Sequence, residues 1–228
     1  STFLAFILLL VFGVIFVIFS LMSLSSDDVK IGPNSILEIE LDMPILDRTS
    51  DNPFEEFNSV DFVFEESIEL KDILDNIERA KKNDNIQGIY LKTSLNAGFS
   101  QVEEIRNKLL EFKNEGKFIY AYSETFSQLD YYLCSVADQI FFHPEGYIDL
   151  SGISAGVMFY KDFLDKIGVE VQIIRHGKYK AAVEPFMYNS MSEENREQLE
   201  RLLNAMSDKI ISDISVSRNI SEEKINET

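Results

Sequence analysis

The hydrophobic and polar positions divide the chain into two parts. Residues 2–24, TFLAFILLLVFGVIFVIFSLMSL, contain no charged side chain, whereas apolar positions farther along recur at strand and helix spacings. A helix over the first part would be roughly 34 Å long at about 1.5 Å per residue, which is enough to cross the hydrocarbon core of a bilayer. The pattern therefore predicts a transmembrane anchor over residues 1–24, a juxtamembrane linker over 25–34 and a globular domain over 35–228.

The residues that follow the apolar run predict its orientation. Asp27 and Asp28 come next, with only Lys30 nearby, and a flank poor in lysine and arginine tends to remain outside the cytoplasm. A cleaved secretory signal is the alternative, although its apolar region is shorter, and residues 23–26 resemble a cleavage site only weakly. We expect a single-pass protein of the bacterial inner (cytoplasmic) membrane whose globular part is periplasmic.

Strand patterns alternate with helix patterns through the globular part. Alternating apolar and polar positions predict strands over Ser35–Leu41, Gly88–Lys92, Lys117–Tyr122, Gln139–His143 and Val169–Arg175. Apolar helical faces predict helices near 68–77, 100–112, 127–137, 160–166 and 193–217, with another beginning at Ser221. The helix near 100–112 is predicted to begin with a Ser100-x-x-Glu103 capping box and to end at Gly116, and Ser192 is predicted to cap the helix over 193–217. Asp47–Val60 is predicted to be a loop. Because one helix separates successive strands, we expect an α/β layered fold with a mostly parallel sheet.

Composition and charge narrow the possible functions. The chain has 21 Lys and Arg against 39 Asp and Glu, a net charge of −18, which argues against nucleic acid as a partner because phosphate binding needs clustered cations. A single cysteine, Cys134, excludes an internal disulfide framework, and two histidines make a His-rich metal centre unexpected. We therefore expect no metal and no cofactor.

The candidate chemistry lies in the stretch Arg175–Phe186, RHGKYKAAVEPF. A lysine acts as a general base only when its ammonium is deprotonated near neutral pH, and burial among apolar groups or a second cation nearby favours that state. In an extended backbone Lys178 and Lys180 project to the same side, and the Ala-Ala-Val that follows cannot solvate an ammonium. From spacing alone, two solvated lysines in a loop are the more ordinary interpretation.

This stretch also carries a family resemblance. GKYKAAVEPF, followed by MYNSMSEENREQLERLL, resembles the segment around the catalytic lysine of the signal peptide peptidase SppA (protease IV) family, in its long two-domain bacterial form. The run from FSQLDYYLCSVADQIFFHP to this segment is similar to the family's first domain, and the N-terminal anchor fits as well. The resemblance implies a ClpP/crotonase-like fold of repeated ββα units. It also implies a Ser/Lys dyad that hydrolyses peptides at the membrane, in a homotetramer that encloses a bowl-like chamber.

The resemblance assigns the site residue by residue. Lys180 lies where the family has its general-base lysine, and Lys178 does not. Gln128 occupies the place of the serine in the family's Ser-Gly-Gly-Tyr turn, whereas Ser127, one residue away, is interpreted as a helix N-cap. The run 96–98, Asn-Ala-Gly, corresponds to the family's oxyanion turn, and we favour a purely structural turn there. The resemblance thus implies that the serine comes from a second domain beyond Thr228 and that this chain alone is inactive.

The remaining candidate residues have weaker support. His176 lies four residues before Lys180 and could orient a group in the site, and Glu184 is predicted to pair with Lys178 or the backbone. His143 and Cys134 are interpreted as structural. The acidic pairs are interpreted as solvated faces: Glu55/Glu56, Glu65/Glu66 and Glu103/Glu104.

Together these observations predict a membrane-anchored serine endopeptidase that degrades cleaved signal peptides and other hydrophobic segments, with Lys180 as its catalytic residue in this chain. The expected partners are hydrophobic peptides, the membrane and further copies of the protein. Two alternatives remain. One is a catalytically inert, anchored scaffold that forms a ring. The other is an acyl-CoA enzyme of the crotonase fold, which the acidic charge disfavours because it repels CoA phosphates.

Overall fold

The computed structural model of the chain describes residues 12–13, 15–16, 30–48, 57–58, 63–64, 66–174, 176–177 and 179–227. The predicted anchor and most of the predicted linker therefore lie outside the described residues. Among those that are described, no helix is both long enough and apolar enough to cross a membrane.

A four-stranded parallel sheet forms the centre of the fold. The strands in chain order are β1 Ser35–Leu41, β2 Ile45–Leu46, β3 Phe57–Asn58, β4 Val63–Phe64, β5 Ile68–Glu69, β6 Ile86–Thr93, β7 Phe118–Ser123 and β8 Gln139–Phe142. The sheet has the order β1-β6-β7-β8, and all three pairings are parallel. β2 pairs with β5 in parallel, and β3 pairs with β4 in antiparallel orientation. The predicted α/β fold with a parallel sheet is confirmed at this level.

The helices in chain order are α1 Leu70–Lys82, α2 Phe99–Lys113, α3 Gln128–Cys134, α4 Lys161–Lys166, α5 Glu184–Met187, α6 Glu193–Arg218 and α7 Glu222–Asn226, with a 3₁₀ turn over Ala181–Val183. The Ser192 side chain accepts a hydrogen bond from the Asn195 N–H at the start of α6, as predicted for an N-cap. Ser221 caps α7 in the same way.

The core lies between the sheet and the helices on one of its faces. Ile89, Leu91, Ile119 and Ala121 point from β6 and β7 into this core and are fully buried. From the other side α1 and α2 contribute apolar side chains that are also fully buried: Ile77, Val102, Ile105, Leu109 and Phe112. The alternation read from the sequence thus places one face of each strand in the core. The opposite face is partly open.

Three predicted elements differ from the structure. Residues 169–174 form no strand and are largely exposed, because no strand among the described residues lies beside them to pair with. The predicted loop over Asp47–Val60 contains the short strand β3, although most of that stretch lies outside the described residues. Finally, α2 begins at Phe99 with Gly98 at its N-cap, so the Ser100-x-x-Glu103 capping box is wrong. Instead, the Gln101 side chain accepts the Gly98 N–H at 2.8 Å.

Candidate functional site

Lys180 lies at the start of the 3₁₀ turn that leads into α5. Its backbone, with φ −105° and ψ 78°, ends the irregular segment before it. The Lys180 side chain is exposed and forms no hydrogen bond or ion pair with any residue that the structure describes. The expected shielding of Lys180 from water by the following Ala-Ala-Val is therefore wrong for the single chain, because this short turn leaves the lysine on the surface.

Glu184, four residues after Lys180, fixes this turn to the long helix α6. Its side chain is fully buried. Its carboxylate accepts hydrogen bonds from the Ser192 hydroxyl, from the Ser192 backbone N–H at 3.2 Å and from the Asn195 side-chain amide at 3.1 Å. An anion is favourable at this place, because the N-terminus of α6 presents unpaired N–H groups and a positive dipole end. As predicted, Glu184 bonds to the backbone and leaves Lys180 without an acidic partner among the described residues.

Gln128, the residue that the resemblance aligns with the catalytic serine, is not a nucleophile. Gln128 is the first residue of α3, and Ser127 before it is the N-cap, as predicted. The Ser127 hydroxyl accepts the Asp130 N–H at 3.2 Å and donates to the Asp130 carboxylate. Ser127 is thus fully used in capping the helix.

Asp130 joins this helix start to the turn that follows β6. Its carboxylate accepts the Leu95 backbone N–H at 3.0 Å and the Ser127 backbone N–H at 3.2 Å. In the same turn, the Asn96 carbonyl accepts the Ile45 N–H at 3.1 Å. The N–H groups of Leu95 and Gly98 are therefore occupied by side chains of the protein itself, which supports the interpretation of residues 96–98 as a structural turn.

An apolar groove of about 240 Å³ opens beside Gln128. The Gln128 Oε1 atom is buried there and accepts no hydrogen bond from the described part of the protein. The groove is lined largely by apolar side chains of α3, α6 and α7 and the chain between them, among them Tyr131, Leu150, Ile210, Ile214 and Ile225. At Gln128 the chain thus presents a neutral amide next to an apolar surface.

The other candidate residues either make contacts that stabilise the fold or form no hydrogen bond or ion pair with a described residue. Cys134 is buried against the Thr93 hydroxyl at 3.6 Å, and burial raises the pKa of its thiol to about 12. The His143 side chain accepts the Glu145 N–H at 3.2 Å in a surface turn. His176 is exposed and contacts no other described residue through a hydrogen bond or ion pair, so the structure gives it no orienting role. Of the acidic pairs, Glu103 lies 3.6 Å from Lys209, and Glu55, Glu56 and Glu65 lie outside the described residues.

Sequence reasoning missed a polar cluster that attaches α6 to α2 and α3. The Tyr132 hydroxyl donates to Asp213 Oδ2 at 2.7 Å, and the Arg106 guanidinium donates to the Asp213 carbonyl at 2.9 Å and lies 3.5 Å from its carboxylate. Arg106 is almost completely buried, and it also stacks over the Tyr132 ring. These residues are far apart in the sequence, so no local spacing could have indicated that they form a cluster.

Known proteins match most of this chain. Residues 111–228 match peptidase family S49. Protease 4 of Haemophilus influenzae is 35% identical over 156 residues, which is 68% of this chain and 25% of the relative, and Protease 4 of Salmonella typhi is 37% identical over 158 residues, 68% of this chain and 26% of the relative. The chloroplastic serine protease SPPA of Arabidopsis thaliana is 35% identical over 164 residues, 72% of this chain and 23% of the relative.

The aligned part of the chain thus spans about a quarter of the length of these curated relatives. The family match includes α3, Gln128, Lys180, Glu184 and the whole of α6. It covers more than half of the chain, and it agrees with the names of the relatives and with the lysine-bearing segment. The chain belongs to peptidase family S49, the SppA family.

Proposed function

We propose that this chain is the lysine-bearing domain of a serine peptidase with a Ser/Lys dyad, in which Lys180 is the general base. The observation that carries the proposal is the environment of Lys180 within the family-matched region. The acidic residue nearest to it in sequence, Glu184, is buried and bonded to the N-terminus of α6, so it does not neutralise the lysine. Lys180 therefore stands at a fixed point of the surface with no partner among the described residues.

The nucleophile comes from outside this chain. Gln128 cannot attack a carbonyl, and the Ser127 hydroxyl is bonded to Asp130. In the proposed reaction, the neutral lysine accepts the proton of a serine hydroxyl while the serine oxygen attacks the peptide carbonyl. The protonated lysine then gives that proton to the leaving amine as the peptide bond breaks, leaving an acyl-enzyme. This role requires that Lys180 lose contact with water, so we expect the serine-bearing surface to cover it.

The substrates that we propose are cleaved signal peptides and other hydrophobic segments. Residues 2–24 would hold the enzyme in the bacterial inner membrane, where such peptides are released. A peptidase that hydrolyses unfolded segments needs an enclosed site to spare folded proteins, and a closed ring of identical subunits, here a tetramer, provides one. No cofactor takes part in this chemistry.

The first test compares two lysines that are two residues apart. In the full-length protein, Lys180→Ala should reduce hydrolysis of a fluorogenic hydrophobic peptide by about 10⁴-fold or more, because nucleophile and base act as a unit. Lys180→Arg should fail as well, because a guanidinium is not deprotonated in this pH range. The matched control, Lys178→Ala, should keep most of the activity. If Lys180→Ala retained more than about a tenth of the activity, Lys180 would not be the base, and His176 would be examined next.

A second candidate function is a catalytically inert scaffold, and Gln128 favours it because its amide cannot act as a nucleophile. In that case the full-length wild-type protein would hydrolyse no peptide, and neither lysine substitution would change that. The same assay therefore separates the two functions, provided that the oligomeric state of each variant is measured alongside.

A further inference from the structure

The apolar groove beside Gln128, which we call the Gln128 groove, has one face of α6 as a wall. Ile210, Ile211 and Ile214 follow Ser207 at spacings of three, four and seven residues, so these four side chains lie on the same side of the helix. Ile210 and Ile214 are 2% and 3% exposed, and Ile211 is half-buried. Because the core holds these side chains, this wall of the groove is formed in the chain as it folds.

Hydrogen bonds fix the rest of the lining. The Ile220 N–H donates to the Ser215 carbonyl at 3.2 Å, and the Ser215 hydroxyl donates to the Ile220 carbonyl at 2.6 Å, which holds Ile220 against α6. Leu150 directly follows Asp149, whose N–H donates to the Phe126 carbonyl at 2.8 Å just before α3. The shape of the groove therefore does not depend on a bound ligand.

One polar atom in this apolar surrounding has no hydrogen-bond partner. The Gln128 Oε1 atom is buried and accepts no hydrogen bond from the described part of the protein. The helix start that carries Gln128 is fixed by the cap that Ser127 and Asp130 form. A buried acceptor without a donor destabilises a protein, and an isolated water needs several polar partners, which a largely apolar lining does not provide. The groove therefore fits an occupant that brings an apolar group and a hydrogen-bond donor together.

Size and charge narrow the choice of occupant. At about 240 Å³ the groove is smaller than the about 300–1,000 Å³ of pockets that enclose whole drug-sized ligands, so it fits one or two side chains. Of the residues that line it, Lys224 alone is charged, and the lining offers no cluster of cations for a phosphate group. A lipid acyl chain would fill the apolar walls but has no donor for Gln128 Oε1. A peptide has an N–H beside each side chain, so an apolar peptide satisfies both requirements.

We propose that the Gln128 groove is a noncatalytic binding site for the peptide substrate. It takes an aliphatic side chain such as leucine, and Gln128 Oε1 accepts the backbone N–H of the same residue. The amide of Gln128 cannot attack a carbonyl, so the peptide is held here without being cleaved, which raises its effective concentration at the enzyme. That this peptide is a substrate rests on the proposed function, whereas its binding requires neither Lys180 nor a serine.

The test measures the binding of a defined peptide to the 228-residue chain in lipid nanodiscs. The probe is a short acetylated peptide with two central leucines and a terminal fluorescein, and fluorescence polarisation gives its Kd. Ser207→Phe, which fills the groove from a half-buried position on α6, should raise the Kd about ten-fold or more. The matched control, Val216→Phe, adds the same ring at a position of α6 that is 80% exposed and outside the groove, and should leave the Kd unchanged. Equal Kd values for the wild type and Ser207→Phe would overturn the proposal.

A second comparison tests the hydrogen bond to Gln128. Methylation of both leucine nitrogens removes the donors of the probe and should raise its Kd for the wild type about five-fold or more. Gln128→Leu keeps a side chain of similar size but removes the acceptor, so the methylated and unmethylated probes should bind this variant equally. A methylation effect of the same size in both proteins would show that Gln128 is not the acceptor, which contradicts the proposal. Circular dichroism checks that each variant keeps the helix content of the wild type.

Other occupants of the groove give different results. Uptake of the fluorescent fatty acid cis-parinaric acid that Ser207→Phe abolishes, without peptide binding, would show a lipid site and refute the peptide. Probe binding that disappears as the chain associates in sedimentation would show that a second copy fills the groove, and would refute it equally. Peptide hydrolysis is measured in none of these experiments. Loss of binding with intact hydrolysis therefore refutes the groove alone, whereas intact binding in an enzyme that does not need Lys180 refutes only the proposed base.

Discussion

At the scale of single residues, Asp130 connects two elements of the fold through its carboxylate. This residue is only 5% exposed. The carboxylate accepts the N–H of Leu95 and both the N–H and the hydroxyl of Ser127. A side chain thus fixes the turn after β6 to the start of α3, where a substrate oxygen would need free N–H donors.

This joint gives a stability prediction. Asp130→Ala should lower the free energy of unfolding by about 2–4 kcal/mol, because it leaves the Leu95 and Ser127 N–H groups without their acceptor. Asp130→Asn should lower the free energy of unfolding by less, since the single amide oxygen can still accept a hydrogen bond. Asp149→Ala is the control, because this carboxylate is exposed and its hydrogen bonds come from the N–H and the side chain of Ser151, two residues away. Its loss should lower the free energy of unfolding by about 0.5 kcal/mol or less. Urea unfolding followed by circular dichroism measures all three, and a cost below 1 kcal/mol for Asp130→Ala would contradict the assignment.

Residue-level sequence reasoning identified two helix N-caps from local chemistry, although it placed the cap of α2 wrongly at Ser100. Ser127 and Ser192 could be identified as N-caps because the donor that each one accepts lies three residues ahead. The bond between Asp130 and Leu95 spans 35 residues, and the contact of Arg106 with Asp213 spans 107. Such pairs form only when the fold brings two elements together, so no single segment could have indicated them.

At the scale of elements, the strands also show that a local sequence pattern does not determine which contacts form. Ser35–Leu41 was predicted with its observed bounds, because its alternating pattern agrees with a neighbour, β6, that lies within the chain. Residues 169–174 carry an equally clear strand pattern but form none, because a strand is stabilised by its partner and not by its own sequence. The pattern thus indicates a capacity for strand pairing that residues 169–174 do not use within the described part of the chain.

The attachment of α6 predicts a dependence of stability on pH. Burial by itself raises the pKa of Asp213, but hydrogen bonds from Lys209 and Tyr132 and the charge of Arg106 outweigh it, so the pKa lies below its usual value. A carboxyl whose pKa is lowered by folding stabilises the protein above its unfolded pKa of about 3.9, and this contribution is lost as the pH falls through the folded pKa. We therefore expect the free energy of unfolding to decrease below about pH 4.

The variant Asp213→Asn isolates this contribution. At pH 7 it should lower the free energy of unfolding by about 2–4 kcal/mol, since the buried Arg106 loses its counter-charge. It should also make the free energy of unfolding, measured by urea titration, change less between pH 7 and pH 3 than it does in the wild type. Glu200→Gln is the matched control, because Glu200 is exposed and lies 3.8 Å from Arg196; it should change neither quantity. An acid slope in Asp213→Asn as steep as in the wild type would show that other carboxylates produce it.

At the scale of the whole molecule, charge and apolar surface are distributed unevenly. The chain carries a net charge of −18, and none of its charged residues lies in the apolar run 2–24. From composition alone the sequence predicts a membrane anchor over these residues, since membrane insertion depends on summed hydrophobicity rather than on contacts; it stays a prediction, because the segment lies outside the described residues. It could not predict the open sheet face, because exposure of a face depends on where every helix packs.

The orientation of the whole molecule gives the last prediction. In bacteria that express the full-length protein, protease added to intact spheroplasts should digest the globular part, because the flank after residue 24 has two aspartates and one lysine and should remain outside the cytoplasm. A variant without residues 2–24 should stay protected in the cytoplasm and serves as the control. Asp27→Lys with Asp28→Lys should shift a measurable fraction toward protection, since added positive charge favours the cytoplasmic side. Full protection of the wild-type globular part, with digestion only after lysis, would show that the orientation is reversed.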